Sequence, residues 1–98
     1  MAAYIIADVT VTDPAAMEEY RKRVPATLAP YGGRFVVRGG AHETVEGDWK
    51  PNRLVVLEFA SIEQARRWYH SEEYREPLAM RLRAGRANMV MVEGVPPA

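Results

Sequence analysis

The sequence predicts a small α+β domain of ferredoxin-like type, in which an antiparallel four-stranded sheet carries its helices on one face. The first reason is order, since the periodicity runs strand, helix, strand, strand, helix, strand, which is the split βαβ arrangement. The second is size, because 98 residues with 48% hydrophobic and 27% charged side chains suit one domain. We therefore expect a single domain over residues 1–98, with residues 94–98 as a loose C-terminal tail.

The first strand and helix are predicted from residue 4 onward. Residues 4–11 alternate between apolar and mixed side chains, which is typical of a strand with one buried face. Asp13 can cap a following helix, and Pro14 tolerates its first position. We expect Pro25 to kink or interrupt that helix, because proline removes a backbone donor, and residues 30–33 to end it.

A second strand is predicted over residues 34–38. Strict alternation places Phe35 and Val37 on one face of this strand. The opposite face then carries Arg34, Val36 and Arg38.

The region after the second strand predicts a loop and the central strand. Residues 42–46 are expected to form a short additional strand, and residues 47–52 contain the turn formers of a loop. Trp49 is expected to stand exposed at the tip of that loop. Residues 53–60 show the most regular alternation in the chain and predict a central strand.

The last third of the chain predicts helices and a final strand. The residues from Ser61 match the capping box, so a helix begins there. Residues 71–73 look like a new cap, and Pro77 is expected to break this helix before a last helical stretch that reaches about Arg86. Residues 88–93 alternate and predict the final strand.

Charge and composition exclude several classes of protein. Thirteen basic and thirteen acidic residues cancel, which disfavours nucleic-acid or membrane partners. The absence of cysteine removes disulfides and thiolate chemistry. The N-terminus lacks the features of a signal peptide, and no apolar run approaches the roughly 20 residues of a membrane span. We therefore expect a cytoplasmic protein.

The face of the predicted sheet away from the helices is too apolar to remain open to water in a stable monomer. A second copy of the chain would cover it, so we expect a homodimer in which two sheets pack face to face. This mixed face carries Tyr4, Ile6, Asp8, Val36, Leu54 and Val56 among its residues.

Several short motifs in this order and spacing resemble one known family. They are Asp13-Pro14, Tyr31-Gly32-Gly33, Glu46-Gly47-Asp48-Trp49, the strand 53–59, and Tyr69-His70-Ser71 to Tyr74. The chain resembles the "domain of unknown function 1330" family (DUF1330) over nearly its whole length. The resemblance implies a dimeric α/β barrel, a superfamily that includes cofactor-free monooxygenases, lactone isomerases and haem proteins. It implies no particular substrate or catalytic residue, because fold alone does not choose among these activities.

One group of charged residues predicts a candidate site on the face away from the helices. Asp8 and Glu58 are candidate catalytic residues, because carboxylates partly removed from water can serve as acid or base. Arg34 and Arg38 could hold an anionic ligand bidentately, with Tyr4 beside them. The alternative, which we favour, is that these charges pair across the dimer interface.

A second group is aromatic. Trp49 and Tyr69 are candidate ligand-binding residues that accompany Trp68 and Tyr74, although Trp68 at helical spacing is more typical of core. Trp49 could equally cover a pocket or pack across a dimer. His42 and His70 show no metal-like spacing, so no metal or other cofactor is expected.

The leading functional hypothesis is a homodimer that binds a small organic molecule, aromatic or anionic, in a cleft between sheet and helices. One alternative is a structural or interaction dimer without a ligand. Another, which rests on superfamily analogy, is a cofactor-free monooxygenase or isomerase. The sequence leaves open whether the protein is an enzyme.

Overall fold

The computed structural model describes residues 1–97, which form one four-stranded antiparallel sheet with three helices. The elements are β1 (Ala3–Val11), α1 (Pro14–Leu28), β2 (Arg34–Arg38), β3 (Leu54–Phe59), α2 (Ile62–Tyr69), α3 (Glu72–Ala84) and β4 (Gly85–Glu93). The strand order is β2-β3-β1-β4, so the first and third strands are central. This order confirms the predicted ferredoxin-like fold.

The core lies between the sheet and the helices. Alternate residues of β1, from Ala3 to Val9, are buried, while the residues between them are only partly covered. The opposite side of the sheet, which we call the open face, carries no helix. The main core cluster consists of Ile5, Val24, Leu28, Leu57, Phe59, Ala65, Trp68 and Tyr74.

The predicted interruption of the helices at the two prolines was wrong, because both helices continue through them. Pro25 lies inside α1 and Pro77 inside α3. In α3 the carbonyl that loses its donor belongs to Glu73, which is exposed near the start of the helix, where water can satisfy it. In α1 a side chain supplies the missing donor, as described below. The caps at Asp13 and Ser61 are confirmed, because their side-chain oxygens accept hydrogen bonds from Ala16 N and Gln64 N.

Two strand predictions also need correction. Residues 42–46 form no strand, since side chains rather than a ladder hold this part of the loop: the His42 ring bonds Pro51 O at 2.9 Å and Thr44 Oγ1 donates to Trp49 O at 2.7 Å. The final strand begins at Gly85 rather than residue 88, directly after α3. Gly85 approaches Thr10 so closely that a Cβ would overlap the Thr10 carbonyl oxygen, so the strand begins at a residue with no side chain to show the alternation.

The C-terminal end leaves the sheet after β4. Residues 94–97 have neither helical nor strand structure, although Gly94 N donates to Ala2 O at 2.7 Å. Ala98, the end of the predicted tail, lies outside the described residues. Within residues 1–97, no helix has the length and apolar character needed to cross a membrane.

Candidate functional site

A β-bulge in β2 changes which residues share a face. Arg34 pairs with Glu58 and Arg38 with Val55, and the register shifts between Phe35 and Val37. Because one extra residue reverses the alternation, Arg38 lies on the helix side of the sheet, opposite to the prediction. The predicted grouping of Arg34 and Arg38 on one face was therefore wrong.

The open face keeps one part of the predicted charged group. Arg34 Nε donates to Glu58 Oε1 at 2.7 Å, and the Tyr4 hydroxyl donates to Glu58 Oε2 at 3.2 Å. The hydrogen bond and negative charge of Glu58 raise the pKa of Tyr4. Both carboxylate oxygens of Glu58 therefore have partners within the same chain.

Asp8 lies elsewhere on the open face and holds the loop before β3. Its carboxylate accepts from Trp49 Nε1 and from Asn52 N, both at 3.0 Å. The bond from Trp49, followed by the backbone bonds from Asn52 and Arg53, lowers the pKa of Asp8. Asp8 pairs with Leu54, four residues along β3 from Glu58, which separates the two backbone positions by about 13 Å in the strand direction. They do not form one site.

On the helix side of the sheet, a cleft opens between α1 and the strands. It contains a cavity of about 50 Å³ within a recess whose empty space, including its mouth, is about 580 Å³. The apolar part of its wall comes from both layers and comprises Ile5, Ala7, Val9, Met17, Val24, Phe35, Val55, Leu57, Trp68 and Met89. We call this recess the cleft, and its polar lining residues lie in two groups.

Arg38 is fixed at the mouth of the cleft by α1. Pro25 has no N–H, so the carbonyl of Arg21, four residues earlier, lacks its helical partner. Arg38 Nη2 donates to that Arg21 oxygen at 2.8 Å, which explains how the helix continues through the proline. The Arg38 guanidinium also stacks over the Phe35 ring, 4.2 Å from its centre.

Two more arginines, Arg21 and Arg53, line the same mouth. Burial, followed by the charges of Arg21 and Arg38, lowers the pKa of Arg53 below its ordinary value. Among residues 1–97, Glu18 is the one carboxylate within 4.0 Å of these three guanidinium groups, and it pairs with Arg21 at 3.2 Å. The mouth therefore carries excess positive charge, which attracts anions.

The inner wall of the cleft carries a second polar group. Arg81 is only 5% exposed and donates from Nε to the Tyr74 hydroxyl at 3.4 Å. The Tyr74 and Tyr20 hydroxyls are 2.7 Å apart, and burial raises the pKa of Tyr20 far above its ordinary value. This wall therefore places the Tyr20 and Tyr74 hydroxyls beside a buried cation.

The predicted aromatic group divides in two. Trp68, Tyr69 and Tyr74 pack together beside the cleft, with the Trp68 and Tyr74 ring centres 4.0 Å apart. Trp68 is core, as favoured from its spacing, and its indole N–H donates to Thr27 Oγ1 at 2.9 Å. Trp49 is 60% exposed and lies over the open face instead, so it does not join the cleft.

Sequence reasoning missed Tyr20, Arg21, Arg53 and Arg81 as cleft residues. A signal existed for Arg81, because it lies seven residues after Tyr74 on the face that α3 buries. A charged residue in a buried stripe is unusual and marks a site. Within residues 1–97, no group of three or more metal-ligating side chains is close enough to hold a metal ion.

Comparison with solved structures shows the same fold in other proteins. A protein of unknown function from Rhodopseudomonas palustris is 15% identical, with a TM-score of 0.77 and coverage of 98% of this chain and 84% of the other. A dimeric ferredoxin-like protein of unknown function from Thermobifida fusca is 18% identical, with a TM-score of 0.64 and coverage of 95% and 91%.

A third similar structure has an activity in its name. SnoaB, a cofactor-independent oxygenase from Streptomyces nogalater, is 15% identical, with a TM-score of 0.67 and coverage of 98% of this chain and 95% of the other. At this identity the likeness shows the fold alone. No curated protein is similar enough in sequence to be matched.

The family assignment rests on the sequence itself and covers almost all of the chain. A single family model matches residues 2–95, which include every strand and helix described above. The chain belongs to the family described as domain of unknown function (DUF1330), as its motifs predicted.

Proposed function

We propose that each subunit binds a small organic molecule in the cleft, and that two subunits pair through the open faces of their sheets. The observation that supports the binding site is the cavity itself. It has apolar walls from both layers, a few polar groups at its mouth and inner wall, and an opening to solvent. This combination is typical of small-molecule sites.

An empty cavity of this kind has a cost in stability. At about 24 cal/mol per Å³, a volume of about 50 Å³ that stays dry would lower stability by about 1 kcal/mol. Ala7, which is 3% exposed, lies on the cleft floor, where a larger aliphatic residue would fill part of the space. A small residue at this position is consistent with room kept for a ligand.

The cleft hypothesis is tested by filling it. In Ala7→Val, two added methyl groups occupy cavity volume, so we expect small aromatic and aliphatic probes to lose binding while the melting temperature stays equal or rises. The matched control is Ala60→Val, which adds the same groups at an exposed position. Binding is followed by changes in amide NMR signals. Unchanged probe binding in Ala7→Val would contradict the proposed site.

The open face supports pairing because its exposed apolar residues are contiguous. Registers between adjacent strands place one apolar side chain from each strand in a single row, about 14 Å long. The row is Val37, Val56, Ile6 and Val90. Val90 is 59% exposed and Val37 is 39% exposed. A contiguous row of exposed apolar side chains of this kind is typical of a protein interface.

A second copy of this chain fits the row, since the polar residues lie beside it rather than in it. Tyr4 and Glu58 form the neighbouring row on one side, and Asp8 lies on the other. The dimeric state of similar proteins supports the same partner. A cytoplasmic location for this dimer remains a prediction.

Pairing is tested by placing a charge in the row. We expect Val90→Asp to convert the dimer to a monomer, because each subunit would then place an unpaired carboxylate in the buried interface. Val45→Asp is the control, since Val45 is 91% exposed in the loop. Mass is measured by light scattering over a dilution series. A wild-type monomer, or a Val90→Asp dimer as stable as wild type, would refute the pairing.

An enzymatic activity is a second candidate, and the SnoaB structure gives the reason to test it. Asp8 and Glu58 remain the proposed acid–base residues, although both face the open side of the sheet rather than the cleft. A panel of quinols and lactones assayed with Asp8→Asn and Glu58→Gln tests them. A purely structural dimer would instead bind no probe and turn over no substrate.

A further inference from the structure

Arg81 is a buried cation without a counter-ion. Its side chain lines the cleft and is 5% exposed, yet no carboxylate in residues 1–97 lies within 4.0 Å of it. Its hydrogen bond to the Tyr74 hydroxyl is long, at 3.4 Å, and the cation–π contact among the described residues belongs to Arg38 instead. The guanidinium therefore retains unused donors beside a cavity.

Burial carries a penalty for the charged form of this guanidinium, while the neighbouring Tyr74 and Tyr20 oxygens favour that form and keep the pKa of Arg81 above its ordinary value. The group therefore stays charged in the fold, although no carboxylate among residues 1–97 pairs with it. The last turn of α3, where Arg81 lies, offsets part of the penalty through the helix dipole. An anion in the cavity would supply the counter-ion that the protein itself does not.

Tyr20 offers a further donor at the same place. The Tyr74 oxygen accepts from Arg81, so its own hydrogen is free to be donated to Tyr20, 2.7 Å away. That arrangement leaves the hydroxyl hydrogen of Tyr20, which lines the cleft, available to a ligand. Arg81 and Tyr20 together present donors suited to a carboxylate.

We propose that the ligand of the cleft is a small organic monocarboxylate, whose carboxylate is held by Arg81 and Tyr20 and whose apolar body lies against the cleft wall. The proposal rests on the proposed function, because it requires a ligand in the cleft. The positive mouth of Arg21, Arg38 and Arg53 raises the local concentration of such an anion. A fork of guanidinium donors suits the planar, two-oxygen geometry of a carboxylate.

The cavity limits the size of this ligand. Since one water needs about 10 to 15 Å³ of this volume, a cavity of about 50 Å³ holds about four atoms of that size without rearrangement. The remaining atoms extend toward the mouth. A short aliphatic chain fits inside, and a single ring would extend into the mouth, so benzoate is a suitable probe and benzamide is its neutral match.

The experiment titrates benzoate and benzamide into the full chain and follows amide NMR signals at constant ionic strength. We expect wild type to bind benzoate at least about tenfold more tightly than benzamide, since a hydrogen-bonded ion pair is lost with the amide. Arg81→Met should remove that preference while benzamide binding remains, and Tyr20→Phe should weaken benzoate binding about tenfold. Arg83→Met, an exposed arginine in the same helical turn, should behave as wild type.

The melting temperature of Arg81→Met provides an independent measurement. A residue kept for ligand binding rather than stability can be replaced by an apolar one of similar length without loss, so the melting temperature should stay equal or rise. If benzoate and benzamide bind equally well to wild type, the carboxylate inference is wrong while the cleft remains a binding site. If neither compound binds, and Ala7→Val binds every other probe as wild type does, the proposed cleft function is itself refuted.

Discussion

The indole of Trp68 is the best place to test how the wall of the cleft is held together. Trp68 is 1% exposed, and its N–H donates to Thr27 Oγ1, which in turn donates to Val24 O at 2.7 Å. Thr27→Val keeps the shape of the side chain but removes the hydroxyl. The buried indole N–H then loses its acceptor, which costs about 1 to 3 kcal/mol of unfolding free energy.

For a chain of this length, that loss corresponds to a fall in melting temperature of roughly 5 to 20 °C. Thermal unfolding followed by far-UV circular dichroism measures it, with Thr27→Ser as the control that keeps the hydroxyl. In a Trp68→Phe background the same Thr27→Val change should cost less, because no indole N–H remains to be orphaned. A loss of less than about 0.5 kcal/mol of unfolding free energy in Thr27→Val, or the same loss with Trp68 and in the Trp68→Phe background, would refute the reasoning.

Three further predictions follow from the same structure. In the Pro25→Ala variant the Arg21 carbonyl regains a helical N–H and no longer depends on Arg38. Arg38→Ala should therefore lower the unfolding free energy of the wild type by about 0.5 to 1.5 kcal/mol more than that of Pro25→Ala. Equal losses in a double-mutant cycle of urea unfolding would exclude this role of Arg38. The pKa of Asp8 is lower in the folded chain, so the stability it gives the loop is complete above the ordinary aspartate value of about 3.9 and is lost as the pH falls through the folded value. The Trp49 indole NMR signal should therefore change only in that acid range, and Asp8→Asn should abolish the step. Gly85→Ala should lower the melting temperature, since the Thr10 carbonyl that a Cβ would meet is backbone, whereas Gly40→Ala has open space and should not.

The fold was predictable because its signals are local and agree with one another. The alternation of residues 4–11, the caps at Asp13 and Ser61, and the regular pattern of residues 53–60 each predict an element that the structure contains. The order of these elements then leaves few topologies. Family resemblance supported the same conclusion and was confirmed over residues 2–95.

The site was less predictable because it depends on contacts between distant parts of the chain. Alternation alone could not show the bulge in β2, which turned Arg38 to the helix side. Pro25 looked like a helix breaker because its compensating donor, Arg38, comes from another element. Arg81 looked like an ordinary helix residue until the packing of α3 against α1 showed it to be buried.

The contact between Asp8 and Trp49 also could not be predicted from the sequence. Each was singled out as a candidate site residue, and in the structure the Trp49 indole donates to the Asp8 carboxylate. Their hydrogen bond fixes a loop on the open face rather than forming a wall of the cleft. Spacing in the sequence could not reveal this contact, because it joins residues that are 41 positions apart.

The central claim is that the two faces of the sheet have separate tasks, with the ligand on the helix side and the second subunit on the open side. Methyl NMR of valine and methionine tests it most directly, because both faces carry such residues. Titration with benzoate should move the signals of Val24, Val55 and Met89, and dilution should move those of Val37, Val56 and Val90. Benzoate shifts confined to the open-face valines, or dilution shifts confined to the cleft, would contradict the account.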